Sequence, residues 1–249
     1  MEPITFILAI IITLVSGIVG GMVGGSYLIL IPGLLFLGWD IHHVIGITKI
    51  TTVALGLVFI NYMKNGKVNL KFSWPYALLV FLGSIVGSFI VIELSGALLQ
   101  TVIAIFMIII ALFMLFNKNF GVNPLKIKVK KIYVIIAMVS FLILGVYMGF
   151  YAAASSVFSI AIFSVLLKKD FVESIGSTRF NELVAGTGAA LIFAFKGLID
   201  YKMAIPIAVV YFVGAWLGSN ITLKKGSAFI RYVIIFLSIA FAIKLLFFG

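Results

Sequence analysis

Polar and charged positions fall in short clusters along this chain, separated by long apolar runs. No charge occurs from Ile4 to Trp39, Phe72 to Ile92, Leu94 to Phe116, Ile132 to Leu167 or Met203 to Leu223. A run of about 20 apolar residues crosses a bilayer as a helix, because in hydrocarbon the backbone must hydrogen-bond to itself. The pattern predicts five apolar segments in each half of the chain. They cover about 4–21, 25–38, 43–62, 74–92 and 97–116, then about 132–150, 153–167, 172–194, 203–221 and 228–248. The second segment of each half is nearer 14 residues than 20. Only small residues join it to the first, in "GIVGGMVGGS" and "GVYMGFYAAASS". Such short segments are candidates for re-entrant or broken helices.

An internal repeat organises these segments. "PYALLVFLGSIVGS" (75–88) matches "PIAVVYFVGAWLGS" (206–219), with Pro, Ala, Phe, Gly, Gly and Ser at the same spacings. At an offset one residue shorter, Asp40 matches Asp170, Gly46 matches Gly176, Thr48 matches Thr178 and Gly56 matches Gly186. The expected fold is an all-α polytopic membrane protein with two inverted five-segment repeats, each opening with a glycine-rich short-helix hairpin. The expected division is a first repeat over 1–120, a basic cytoplasmic linker over 121–131 and a second repeat over 132–249.

Composition agrees with a membrane class. Charged residues make up 10% of the chain, against about 25% in soluble domains. The net charge of +11 arises from lysines in short loops. That is what the positive-inside rule produces, so no nucleic-acid partner is expected. Lys118, Lys126, Lys128, Lys130 and Lys131 mark 117–131 as cytoplasmic, and Lys64, Lys67 and Lys71 put the preceding basic loop on the same side, with Glu93 outside between them. Glu2 is the only charge before the first run, which continues past signal length, so a cleaved signal peptide is not expected. The absence of cysteine excludes disulfides, thiol catalysis and cysteine metal sites.

Candidate chemistry centres on cations inside apolar runs. Lys49 in GITKITT lies about 10 Å along its helix, where a charge costs roughly 2.5–3.5 kcal/mol on insertion scales. Arg179 in GSTRFNE takes the matching place after the same Gly-x-Thr. Either the lysine stem carries its ammonium to the interface, or the two cations face the interior and bind an anion. Arg offers a planar fork for carboxylate, sulfonate or phosphate, and Lys a point charge. Thr48, Thr51, Thr52, Thr178 and Asn181 are candidate partners, although a threonine also bonds back to its own helical turn. Glu182, three residues past Arg179, shares its helix face; it either neutralises Arg179 or takes a proton for coupling. Gly17, Gly21 and Gly25, like Gly145, Gly149 and Ala153, have the small-xxx-small spacing of close helix packing. Alternatively, Gly24-Gly25-Ser26 and Ala154-Ser155-Ser156 break the helix near the midplane, and half-helix N-termini offer N–H groups to an anion. His42 and His43 are adjacent rather than an i, i+4 metal pair, and no hydrolase, phosphate-loop or dinucleotide motif occurs. Neither an enzyme, a metal nor a cofactor is expected.

The chain resembles the sulfite exporter TauE/SafE family of membrane transporters over essentially its whole length. The resemblance rests on "GIVGGMVGGSYLILIPGL", "HHVIGITKITT" and "NGKVNLKFSWPYALLVFLGSIVGS", with weaker second copies "SIGSTRFNELVAG" and "KGLIDYKMAIPIAVVYFVGAWLGS". The chain departs in having Gly-Gly-Ser in the first hairpin where three glycines are common, and Ala-Ser-Ser in the second, with Ile162 in place of Pro. The resemblance implies export or uptake of small anions, often sulfur oxyanions or organosulfonates. The expectation is a multi-pass secondary transporter of the cell membrane, with a passive anion channel as the alternative. Its substrate-binding residues are Lys49, Arg179, Thr48, Thr178, Asn181, Ser26 and Ser156, and Glu182 serves proton coupling. Its partners are the small anion and the lipid bilayer, with a homodimer left open.

The topology is open to test. Single cysteines at Asn65 and Asn119 are expected to resist an impermeant reagent on intact cells, while one at Gly197 reacts. Labelling at Asn119 from outside, or protection at Gly197 with normal expression, rules out the inverted arrangement.

Overall fold

The computed structural model describes residues 3–22, 24–93, 95, 129–153 and 155–248, with side chains from residue 4 to residue 225. The fifth apolar segment and most of the basic linker lie outside the described residues, as do the side chains of the tenth segment. All regular structure among the described residues is helical. The first half forms α1 (Pro3–Met22), α2 (Tyr27–Phe36), α3 (Ile41–Leu57), α4 (Phe59–Lys64) and α5 (Leu70–Ile92). The second forms α6 (Lys131–Phe150), α7 (Ser155–Ala161) running into a wider π-type turn (Ile162–Leu166), α8 (Phe171–Phe195) and α9 (Tyr201–Phe248). Five of the resulting spans are long and apolar enough to cross a bilayer.

Two boundaries differ from the sequence pattern. The segment at 43–62 is interrupted at Val58, between α3 and α4. Three threonines of α3 bond back to their own helix: Thr48 to Ile45, and both Thr51 and Thr52 to Thr48. Such bonding tends to bend a helix. The segments at 203–221 and 228–248 run together in α9, a single helix of 48 residues. Lys224 and Lys225 suggested a loop there, but no proline follows Pro206 in the chain, and Lys, Leu and Ala sustain a helix. At 1.5 Å per residue α9 is about 72 Å long, well beyond the roughly 30 Å of hydrocarbon.

The outer surface is apolar and the interior is comparatively polar. On α5 an exposed stripe runs through Trp74, Leu78, Leu82, Val86 and Phe89, and on α9 through Tyr201, Ile205, Val209, Val213 and Leu217. These three- and four-residue spacings put one helix face outward, as expected against lipid. Buried instead are Ser16, Ser26, Ser84, Ser88, Ser156 and Ser159, with Lys49, Arg179 and Glu182.

Glycines set which helices meet. Gly17 and Gly21 of α1 lie against the backbone of Tyr211 and Ala215, while Gly214 and Gly218 of α9 lie against Leu14 and Ile18. A methyl group on Gly21 overlaps the Ala215 carbonyl. The same arrangement joins Gly145 and Gly149 of α6 to Val80 and Ser84, and Gly83 and Gly87 of α5 to Leu142 and Val146. Both pairs are parallel, since residue numbers rise together along them. Each sequence copy thus packs its first helix on the fourth segment of the other copy. Between them α3 and α8 cross antiparallel: Gly46 meets Leu198, Gly186 meets Thr52, Gly56 meets Leu183 and Gly176 meets Tyr62 and Lys67. Loops 65–69 and 196–200 therefore sit at opposite ends of this pair.

The first helix of each half is followed by a break before a short helix. Gly24 and Gly25 take φ +88° and +78° between α1 and α2, a conformation that L side chains rarely adopt. In the second copy the break is centred on Tyr151 to Ala153, slightly before Ser155. Ala152, 128 residues after Gly24, takes φ +66°. A left-handed alanine costs roughly 1 kcal/mol. Ala152→Gly is therefore expected to stabilise the protein by up to about 1 kcal/mol. Gly24→Ala is expected to destabilise it, through the same strain and through overlap of the new methyl with the Ser156 side chain. Thermal unfolding of the purified protein in detergent measures both signs.

Candidate functional site

The centre of the molecule is where the two breaks touch. Gly24 packs on Ser156, and the Cβ position of Gly25 lies 4.0 Å from Val157. One buried cation stands to either side, each on a different helix of the antiparallel pair. Lys49 of α3 is 1% exposed and Arg179 of α8 is fully buried, which removes snorkelling to the interface as the reason for Lys49.

Each cation reaches into the other copy. The Lys49 ammonium donates to the Gly149 carbonyl at 2.5 Å and towards that of Phe150 at 3.4 Å, and stands 5.2 Å from the Phe193 ring centre. These carbonyls end α6, where a helix leaves its last carbonyls without partners and carries partial negative charge. Arg179 Nη2 donates to the Gly20 carbonyl in the last turn of α1 at 2.6 Å. Its Nη1 donates to Glu182 Oε2 at 2.5 Å and towards Ser156 Oγ at 3.4 Å. Ser156 donates in turn to Glu182 Oε1. The neutralising contact between Glu182 and Arg179 is therefore present.

Some of the expected site residues come together and others do not. Arg179, Glu182 and Ser156 form one cluster with Gly20. Ser26 joins it through a hydrogen bond to the Tyr211 hydroxyl, directly above Gly20: a Cβ there stands 2.8 Å from Ser26 Oγ and 2.9 Å from the Tyr211 hydroxyl. Thr48 is turned to the Ile45 carbonyl of its own helix at 2.7 Å, and Thr178 donates to Ser159 Oγ at 2.8 Å. Asn181 is fully buried, and neither its amide nitrogen nor its oxygen has a partner among the described residues. Lys49 stands apart. The helices cross near Thr52–Gly56 and Leu183–Gly186, so Lys49 and Arg179 lie on opposite sides of the crossing. Their Cα atoms are separated by about 16 Å along the pair at 1.5 Å per residue. The two breaks lie between them.

Sequence reasoning missed the tyrosines. Tyr27 and Tyr211 stack with ring centres 5.9 Å apart, and the Tyr27 hydroxyl lies 2.8 Å from Thr52 Oγ1. The Tyr62 hydroxyl donates to the Gly21 carbonyl at 3.0 Å. A tyrosine in an apolar run carries no spacing signal to separate these roles from ordinary burial. Among the described residues no cluster of histidine and carboxylate groups suited to a metal occurs.

Residues 9–245 match the sequence model of the family described as "Sulfite exporter TauE/SafE". A "Probable membrane transporter protein ORF9" of Sinorhizobium sp. is 26% identical over 223 residues, 89% of this chain and 85% of that one. A "Probable membrane transporter protein" of Haemophilus influenzae is 24% identical over 225 residues, 90% of this chain and 87% of that protein. In Escherichia coli K12 the "Probable membrane transporter protein YfcA" is 23% identical over 225 residues, covering 90% and 82%. No solved structure matches the chain.

The buried ion pair can be tested as a unit. Removing one partner of such a pair leaves an uncompensated charge, so Glu182→Ala is expected to cost about 3–5 kcal/mol. Combining Arg179→Met with Glu182→Met is expected to restore most of that loss, because no charge is then stranded. Denaturant titration of the purified variants reads both. A combined variant no more stable than Glu182→Ala counts against a closed pair.

Proposed function

Because the chain belongs to the sulfite exporter TauE/SafE family, we propose that it is a secondary transporter moving a small anion across the cell membrane. The family is one of membrane transporters rather than enzymes. The anion belongs to the sulfur oxyanion or organosulfonate class, and the path runs where the two breaks meet. The observation that carries this reading is the exchange of cations between copies: Lys49 holds the broken end of α6, and Arg179 that of α1.

Binding is then a matter of exchange. An anion needs donors, and most donors at the centre are already engaged. Thr48 gives its proton to Ile45, Thr178 to Ser159, and Ser156 to Glu182. Lys49 and Arg179 give theirs to the ends of α6 and α1. An arriving anion competes with these internal acceptors, and Asn181 adds an amide with no internal partner. Drawing a cation off a helix end loosens that break, which ties occupancy of the site to the conformation of the hairpins. The antiparallel α3 and α8, with loops 65–69 and 196–200 at opposite ends, support an inverted repeat. Such a repeat presents equivalent gates to the two sides of the membrane.

Uphill accumulation or saturable counterflow in proteoliposomes is expected of a transporter, whereas a channel conducts without concentrating. If Glu182 carries a proton, Glu182→Gln abolishes uphill transport yet preserves exchange of labelled substrate. If it serves only Arg179, the same variant loses stability or binding instead. Wild-type pH dependence that survives in Glu182→Gln retires the proton role.

A further inference from the structure

We infer that Lys49 alone sets the charge of the transported species, and that this species is a monoanion. The inference rests on the anion-transport reading above and refines its substrate class.

The two copies are electrostatically unequal. Three residues after Arg179 stands Glu182, and the two make a closed pair with no net charge. Three residues after Lys49 stands Thr52, whose hydroxyl donates to the Thr48 carbonyl at 2.6 Å and meets that of Tyr27. Among the described residues no carboxylate faces Lys49. The chain has seven acidic residues, and all except Glu2 belong to the described part. Asp40 and Glu93 are exposed at helix ends. Asp170 and Asp200 accept backbone N–H bonds, from Glu173 and Lys202 respectively. Glu173 pairs with Lys169 at 3.5 Å, and Glu182 is taken by Arg179. Among the described residues Lys49 is therefore the single buried cation without an acidic partner.

What Lys49 has instead is the end of α6, with its Gly149 and Phe150 carbonyls. A helix terminus is equivalent to roughly half an elementary charge. Against the roughly half charge that remains, one negative charge leaves the sum near −0.5 and two leave it near −1.5. The threefold larger excess left by a dianion is the more unfavourable of the two in a buried site without further cations. Arg179 adds no net charge, since Glu182 offsets it, and it lies on the far side of the helix crossing; only its Nε–H lacks a partner among the described residues. The site therefore favours a singly charged tetrahedral oxyanion, such as a hydrogen sulfite or an alkylsulfonate, over sulfite, sulfate or thiosulfate dianions.

Methanesulfonate and sulfate test this, having similar shapes and different charges. Titrated onto the wild-type protein in detergent with unfolding temperature as readout, methanesulfonate is expected to bind at least tenfold more tightly. Lys49→Arg keeps the charge and is expected to keep the preference; Lys49→Met is expected to lose it along with at least tenfold in methanesulfonate affinity. Equal or tighter sulfate binding by the wild type overturns the inference, and needs no variant to fold. It is likewise overturned if Lys49→Met lowers only the unfolding temperature and leaves the preference intact, because Lys49 is then merely a cap for α6. If neither anion nor thiosulfate binds, the anion-transport reading itself fails.

Discussion

A helix that stops inside hydrocarbon leaves carbonyl groups that no water can satisfy. In this chain α1 and α6 both stop within the protein, and both ends are answered by a cation from the opposite copy. Lys49 sits on the last turn of α6 and Arg179 on the last turn of α1. Neither charge is tolerable in lipid, and each broken end gains a charged donor beside the neutral ones it already has, among them Tyr62 on Gly21 and Thr222 on Met22. Placed together, each lowers the other's penalty. That mutual support explains a lysine in the middle of GITKITT better than snorkelling does, because the ammonium stays buried.

Glycine pairing is what brings the partners within reach. The Gly-x-x-x-Gly of each first helix packs against the fourth segment of the other half, so that the halves interlock rather than lie side by side. At such close approach backbone Cα–H groups and carbonyls contact directly, each worth about 0.5–1 kcal/mol. The outward faces of α5 and α9 are left apolar, while serines and threonines turn inward. With two interlocked pairs around the antiparallel α3 and α8, the breaks have one place to meet, at Gly24 and Ser156.

The first, second, fourth and sixth to eighth segments were legible in outline because charge-free runs and glycine clusters are strong signals in membrane chains. So was the pairing of Arg179 with Glu182, since i, i+3 spacing shares a helix face. The end of the ninth segment was not legible: paired lysines mark a membrane boundary, and α9 continues through Lys224 and Lys225 as helix. Nor was the separation of Lys49 from Arg179. Matching positions in two copies suggested convergence, but an antiparallel crossing near Gly56 and Gly186 carries matched residues to opposite sides. The tyrosine stack of Tyr27 on Tyr211 was hidden for another reason: Tyr211 corresponds to Val80 in the first copy, so the repeat itself gave no hint of it.

Matched positions in the two sequence copies differ in their side chains, and those differences set the two breaks apart. Gly24 corresponds to Ala152, Glu182 to Thr52 and Tyr211 to Val80. Each substitution makes the first break unlike the second: Gly24 turns without strain where Ala152 is strained, and Arg179 is neutralised where Lys49 is not. The end of α1 is thereby held by a balanced group with no net field. The end of α6 is held by a lone ammonium, whose attachment competes with any anion that arrives. A device that must release on binding needs at least one such uncompensated contact, because a neutral pair gains little from an added charge. Of the two contacts, only that of Lys49 is made by a cation with no carboxylate partner among the described residues.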